Sequence, residues 1–310
     1  MLQKMIGPIY DAHAHLLSND DIRYPRKNIP YLPRPDGKPV KATPGTVGVP
    51  GGMHGLHPVN EKPTAELMHD WMEQEGVVGI AAVQKGRIYG TDNSYIMDAA
   101  ELYPNQMRAI IIVDPEEDQT IPLMMRGAKR GIIGIRFFPV NIWDVAGWLA
   151  SDKSAAVWQL AEELGLIVDV EGPKSDWRET MGVIERYADR FPRLRIVLDH
   201  LYAPIVTDPD FGIDSRYDGF AARDNISYKF TCLNMDVFRE TGVKPEEVLR
   251  RAVDFYGADK IMWGSDIGTS SGTYKEMVAR AIASTKLLNE EERRKVLHDS
   301  GRRILLGAAN

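Results

Sequence analysis

Eight short apolar runs, at residues 8–15, 77–84, 107–113, 132–137, 166–171, 194–200, 225–231 and 260–265, recur along the chain between longer amphipathic stretches. This alternation constrains the fold more than any other feature, because strands separated by helices form βαβ units and a parallel sheet. Within 154–165, Val157, Leu160, Ala161 and Leu164 follow the i, i+3, i+4, i+7 spacing of an amphipathic helix, and Gly165 reads as its C-cap. Asn289 with Glu292 three residues later reads as the capping box that opens the last helix. Eight strand–helix units predict a closed (β/α)8 TIM barrel, an α/β fold. The competing arrangement is an open doubly wound sheet, but no strand is followed by Gly-x-Gly-x-x-Gly. A length of 310 residues, which could hold two domains, is then read as one domain over 1–310.

One segment interrupts the rhythm. Residues 16–63 carry nine of the nineteen prolines and six glycines, without helical or strand periodicity. A loop of this length inside a compact domain is usually functional or disordered. It follows the first strand directly, so in a barrel it lies on the C-terminal face, where barrel active sites are found. Composition excludes several classes. A net charge of −6 argues against a nucleic-acid binder. A single cysteine, Cys232, excludes an intrachain disulfide framework and suits a reducing compartment. No apolar run approaches the ~20 residues of a membrane span, and residues 1–10 are too short and mixed for a signal peptide. The expectation is a cytoplasmic protein with no membrane or nucleic-acid partner; a homo-oligomer is compatible with it.

Chemistry concentrates at the ends of three strands. In Asp11-Ala12-His13-Ala14-His15, the i, i+2 spacing sends both imidazoles to one face, where neutral rings suit Zn²⁺ or a similar divalent ion. Two polar residues satisfied within the core would give the same motif. The sixth strand ends in Leu198-Asp199-His200, and the eighth leads into Trp263-Gly264-Ser265-Asp266. A parallel barrel brings these strand ends to one mouth, which favours a site over coincidence. On the fourth strand Arg136 shares a face with Ile132 and Gly134, and an inward arginine can grip a substrate carboxylate or form a structural ion pair. Lys229, with Ser227 and Thr231, poses the same choice on the seventh. Tyr89, after the second strand, and His54 and His57, within the long loop, are candidates for substrate contact. His69 and His298 fall in helical stretches and read as structural, and Cys232 as packing.

Taken together, His-x-His, Leu-Asp-His followed by Pro204, and Trp-Gly-Ser-Asp resemble the amidohydrolase superfamily, and within it the amidohydrolase-related branch. Val83-Gln84, Tyr89-Gly90-Thr91-Asp92-Asn93-Ser94-Tyr95, Val113-Asp114-Pro115 and Gly134-Ile135-Arg136-Phe137 are similar to the group holding 2-pyrone-4,6-dicarboxylate hydrolase and sugar lactonases. The likeness covers most of the chain outside 16–63, where only Arg23-Tyr24-Pro25 is familiar. It implies His13 and His15 as metal ligands, Asp266 as ligand and general base, and His200 as the histidine that polarises the carbonyl or completes the site. Many relatives carry a ligand histidine on the fifth strand, where this chain has Val168-Asp169-Val170-Glu171-Gly172. The pyrone-dicarboxylate hydrolases also lack it and work without metal. Glu171, at the strand end, is the candidate ligand in its place. Two carboxylates, Glu171 and Asp266, facing one small site are balanced by a divalent cation, zinc or manganese. The resemblance thus implies a hydrolase that opens a lactone or related cyclic ester of a small anionic molecule. A non-oxidative decarboxylase of an aromatic or enoic acid is the alternative, and a catalytically inactive binding barrel a third reading.

Overall fold

The computed structural model describes residues 7–30, 32–33, 62–171 and 177–307. Eight strands follow the predicted order: β1 (Ile9–His15), β2 (Val77–Val83), β3 (Met107–Val113), β4 (Gly134–Phe137), β5 (Ile167–Val170), β6 (Ile196–Leu198), β7 (Ile226–Thr231) and β8 (Ile261–Gly264). Each pairs in parallel with the next, in the order β1 to β8. The runs are rich in β-branched residues, as in Ile110-Ile111-Ile112-Val113, and buried on both faces as a helix-wrapped parallel sheet requires. Helices intervene with clear stop and start signals. Thr64 caps Ala65–Glu75, its side chain accepting from the Leu67 amide, and Gly76 ends that helix at φ +64°. The helix Asp152–Glu163 covers β5, and Asn289 and Glu292 form the expected reciprocal capping box.

The first and last strands are joined just beyond the end of β8. The Asp266 amide donates to His13 O at 2.7 Å, and the His15 amide to Ile267 O at 3.2 Å. Below them, Asp11 Oδ1 accepts from the Ser265 amide at 2.8 Å and the His13 amide at 3.0 Å. The sheet therefore closes into a (β/α)8 barrel, and the open-sheet alternative falls. Inside it, Ala12, Ala81, Val83, Ile110, Ile167, Val197 and Met262 form an apolar cluster separate from the larger one between strands and helices.

The strands differ from the sequence expectation mostly at their ends. The run 194–200 forms a strand only over Ile196–Leu198, because His200, Leu201, Tyr202 and Ala203 adopt φ of +52° to +59° and leave the ladder. The β1–β2 register also slips between Asp11 and Ala14, so simple alternation does not run the length of β1.

Part of the long loop lies within the described residues, and it crosses the C-terminal ends of the strands. Lys27 and Ile29 bond along Ile88 and Arg87, Pro30 O accepts from Asn141 Nδ2, and Tyr24 donates to Asp98 at 2.6 Å. No described helix is long and apolar enough to cross a membrane.

The tightest packing at the closure is at Gly264, where a Cβ would lie 2.6 Å from His13 Cβ and 3.0 Å from His13 N. Gly264→Ala is therefore expected to cost about 1–3 kcal/mol by overpacking, read from urea denaturation. Unchanged stability would mean that β1 can move freely away from β8.

Candidate active site

At the C-terminal mouth of the barrel, the slip in β1 and the bonds to the segment after β8 bring His13, His15 and Asp266 together. His15 Nε2 lies 3.1 Å and His13 Nε2 3.6 Å from Asp266 Oδ1. One ligand atom from each of the three residues fits within 4.8 Å of the others. The rings are held from behind: His15 Nδ1 meets Val83 O at 2.9 Å, and His13 Nδ1 meets Asp199 Oδ1 at 3.1 Å. His13 Nε2 is buried with no hydrogen-bond partner among the described residues. Buried ring nitrogens are normally paired, so an orphan facing a carboxylate and a second imidazole suits a metal ligand.

The protonation states agree with that. Burial pushes the His13 imidazole well below its usual range, helped by the charge of Lys229 against the pull of Asp199. Burial, with the charge of Lys85, lowers His15 to about 4. Both rings are therefore neutral near pH 7, the form that binds metal. Burial raises the Asp266 carboxyl, but contact with His15 and the nearby His200 and His13 outweigh it and hold the group far below the usual carboxylate range. Its other oxygen, Oδ2, accepts from Ser270 at 3.1 Å.

His200 sits in the left-handed turn after β6. Its Nδ1 is 2.6 Å from Thr231 Oγ1, its carbonyl accepts from Asn234, and its Nε2 is 3.7 Å from Glu171 Oε2. The ring lies 5.3 Å from that of His13. Asp266 and His200 both occupy positive φ, at +50° and +53°, although neither is glycine. Such strain gathers at functional sites.

Behind the cluster lies a layer of buried charges. Asp199, fully buried, accepts from Arg136 Nε at 2.8 Å and faces Lys229 Nζ at 3.1 Å as well as His13. Arg136 also bonds Glu171, and Lys229 bonds Asp169. Burial raises Asp199, but Lys229, Arg136 and His13 overcome it and hold the carboxyl well below its usual range, so Asp199 is the ionised partner. Burial and the charge of Asp199 instead push Asp169 up to about 8.

The structure thus gathers His13, His15, His200, Asp266, Glu171, Arg136 and Lys229 at one end of the barrel. Glu171 belongs to neither of the described groups able to hold a metal ion; it is bonded to Arg136. Tyr89 is buried, its hydroxyl accepting from the Ser18 amide at 2.9 Å, where it pins the start of the long loop. His54 and His57 lie outside the described residues. His69 stacks on Tyr103, His298 pairs with Asp299, and Cys232 is buried with its thiol pushed up to about 12 by burial. Sequence reasoning missed Asp199 and Lys85. Asp199 stands two residues after Val197, one of the interior cluster, and that periodicity was its signal.

A family model described as amidohydrolase matches residues 10–306. Among curated proteins, an L-fucono-1,5-lactonase from Burkholderia ambifaria is 34% identical over 86 residues, 26% of this chain. That match spans only 28% of the relative's length. Among solved structures, an amidohydrolase from Burkholderia multivorans with bound zinc superposes with a TM-score of 0.68 at 16% identity, over 97% of this chain and 99% of that one. A probable 2-pyrone-4,6-dicarboxylic acid hydrolase from Acinetobacter baumannii, with citric acid bound, gives 0.65 at 16%, over 96% and 98%. At these identities the two structures establish the barrel fold.

Asp199 faces two cations and the His13 imidazole, so its removal leaves buried charge uncompensated. Asp199→Asn is expected to destabilise the protein by about 3–5 kcal/mol in denaturant unfolding. A loss below about 1 kcal/mol would mean that Glu171 and Asp169 suffice to neutralise the layer.

Proposed function

The chain belongs to the amidohydrolase family, and from that premise we propose that it is a metal-dependent hydrolase opening a lactone or related cyclic ester of a small carboxylated molecule. The observation that carries the reading is the convergence of His13 Nε2, His15 Nε2 and Asp266 Oδ1 on one point, with the first of them otherwise unpartnered. Two neutral imidazoles and a carboxylate match zinc, with manganese the second choice. A bound divalent ion supplies Lewis-acid polarisation of the ring carbonyl and lowers the pKa of water.

The residues of the chain supply the rest. Asp266 accepts the proton of the attacking water and returns it to the ring oxygen as the acyl–oxygen bond breaks, leaving a hydroxy acid. The bond from Ser270 to Oδ2 fixes the carboxylate plane during this exchange. His200, its Nδ1 bonded to Thr231 Oγ1, faces the oxyanion of the tetrahedral intermediate with Nε2 and in this reading stabilises it with a proton carried there. The backbone bond from the Asp266 amide to His13 O keeps base and ligand at a fixed separation through the reaction. In this reading the substrate is small and anionic and the enzyme works in the cytoplasm.

The test is a pH-indicator assay on a panel of carboxylated lactones. Chelator treatment is expected to abolish acid release, and zinc or manganese to restore it. Asp266→Asn, which keeps the shape but cannot act as a base, should lower kcat roughly 10²–10⁴-fold. A stripped protein with full activity would remove the metal from the mechanism. Release of carbon dioxide from an aromatic or enoic acid, in place of lactone opening, would make the protein a decarboxylase.

A further inference from the structure

Among the described residues, Arg136, Lys229 and Lys85 are buried cations near the His13–His15–Asp266 cluster, and the first two already face carboxylates. Arg136 is bonded to Glu171 and Asp199, and Lys229 to Asp169 and Asp199. The third, Lys85, is different. It is only 7% exposed, and its Nζ donates to the hydroxyl of Thr269. Among the described residues no carboxylate oxygen lies within 4.0 Å of it. An ammonium carries three donors, and although the charges of Asp266 and Glu171 reach Lys85, no described carboxylate contacts it, so a contacting anion is favoured there.

Its position says which partner. Val83 pairs with His15 across β1 and β2, and Val83 O holds the His15 ring. Lys85 follows Val83 by two residues in extended backbone, so it stands on the same inward face, one step nearer the mouth. Thr269, which receives its proton, donates its own amide to Asp266 O at 3.0 Å. Lys85 is therefore tied to the turn that carries the proposed base and lies beside the ligand histidines without belonging to them.

We propose that Lys85 receives the carboxylate of the substrate and so orients the scissile ring over His13, His15 and Asp266. The inference rests on the lactone-opening reading for the reaction but not for the binding. It moves substrate-anion recognition from Arg136 and Lys229, which carboxylates of the protein contact directly, to the cation that none of the described carboxylates contacts. A neutral lactone lacks this anchor, so Lys85 sets the preference for carboxylated rings.

Lys85→Met and Lys85→Arg are compared with wild type on a γ-butyrolactone bearing a ring carboxylate and on γ-butyrolactone itself, with glutarate binding measured by calorimetry. A hydrogen bond to a charged group is worth about 1.5–3 kcal/mol, so Lys85→Met should lower the charged-over-neutral ratio of kcat/KM roughly ten- to a hundredfold, mainly through KM. Glutarate affinity should fall by a similar factor, and Lys85→Arg should recover part of both. Thermal stability of Lys85→Met should hold or rise, since an unpaired buried charge is removed. Equal loss on both lactones, or an unchanged ratio, overturns the proposal. If wild type opens neither lactone, the hydrolase reading fails on its own. Glutarate binding then decides Lys85: weaker binding to Lys85→Met upholds the anchor, and unchanged binding overturns it.

Discussion

The closure of β1 against the chain leaving β8 is the constraint on which the rest of the molecule depends. It rests on short backbone bonds and on one buried carboxylate, Asp11, which accepts from the Ser265 and His13 amides and from Tyr274 at 3.2 Å. Burial raises this carboxyl to about 6 even against those donors. Holding a charged group there has a clear structural return. The amides it satisfies belong to residues on both sides of the seam, and a buried amide without a partner would cost as much as a lost hydrogen bond. The same join carries Asp266, His13 and His15, so barrel closure and the assembly of this cluster are one event.

Above the apolar floor of the barrel, the protein stacks charge in layers. Asp199 bonds both Arg136 and Lys229, and Glu171 and Asp169 complete the contacts of the two cations, so the layer is a shared network within the protein. Well-packed apolar residues would serve stability equally well in such a layer. What the ions add is orientation. Asp199 fixes the His13 ring from behind, as carboxylates do for metal-bound imidazoles elsewhere. Apolar side chains in the same volume would leave the ring free to turn.

Much of this was legible in the sequence, and the misses have physical causes. The eight strands follow from apolar runs between amphipathic stretches, a signal set by burial on both faces. His13, His15 and Asp266 could be placed because they end strands, and parallel strand ends share one mouth. His200 was expected on a strand; it lies instead in a turn of positive φ, which neither composition nor periodicity encodes at a Leu-Tyr-Ala sequence. Glu171, expected as a ligand from its strand position, is bonded to an arginine of the neighbouring strand, and such pairing across strands depends on register. Lys85 escaped notice because a lysine after a strand is ordinarily exposed, and its burial depends on Thr269, 184 residues away.

The backbone strain and the barrel explain each other. Non-glycine residues in the left-handed region cost roughly 1–2 kcal/mol each, and the turn His200–Ala203 holds four in succession. Such a turn survives only where its surroundings determine it. Here Asn234 grips His200 O, Thr231 grips the ring, and the Tyr217 hydroxyl reaches Tyr202 O at 2.6 Å. All three come from β7 or the helices beside it, elements whose own positions are set by the closed sheet. A flexible loop could carry the same residue types without strain, but it would not hold His200 Nε2 at a fixed place across from Asp266. The strain is the consequence of taking a side chain that a strand would point outward and turning it, on a rigid scaffold, into the mouth.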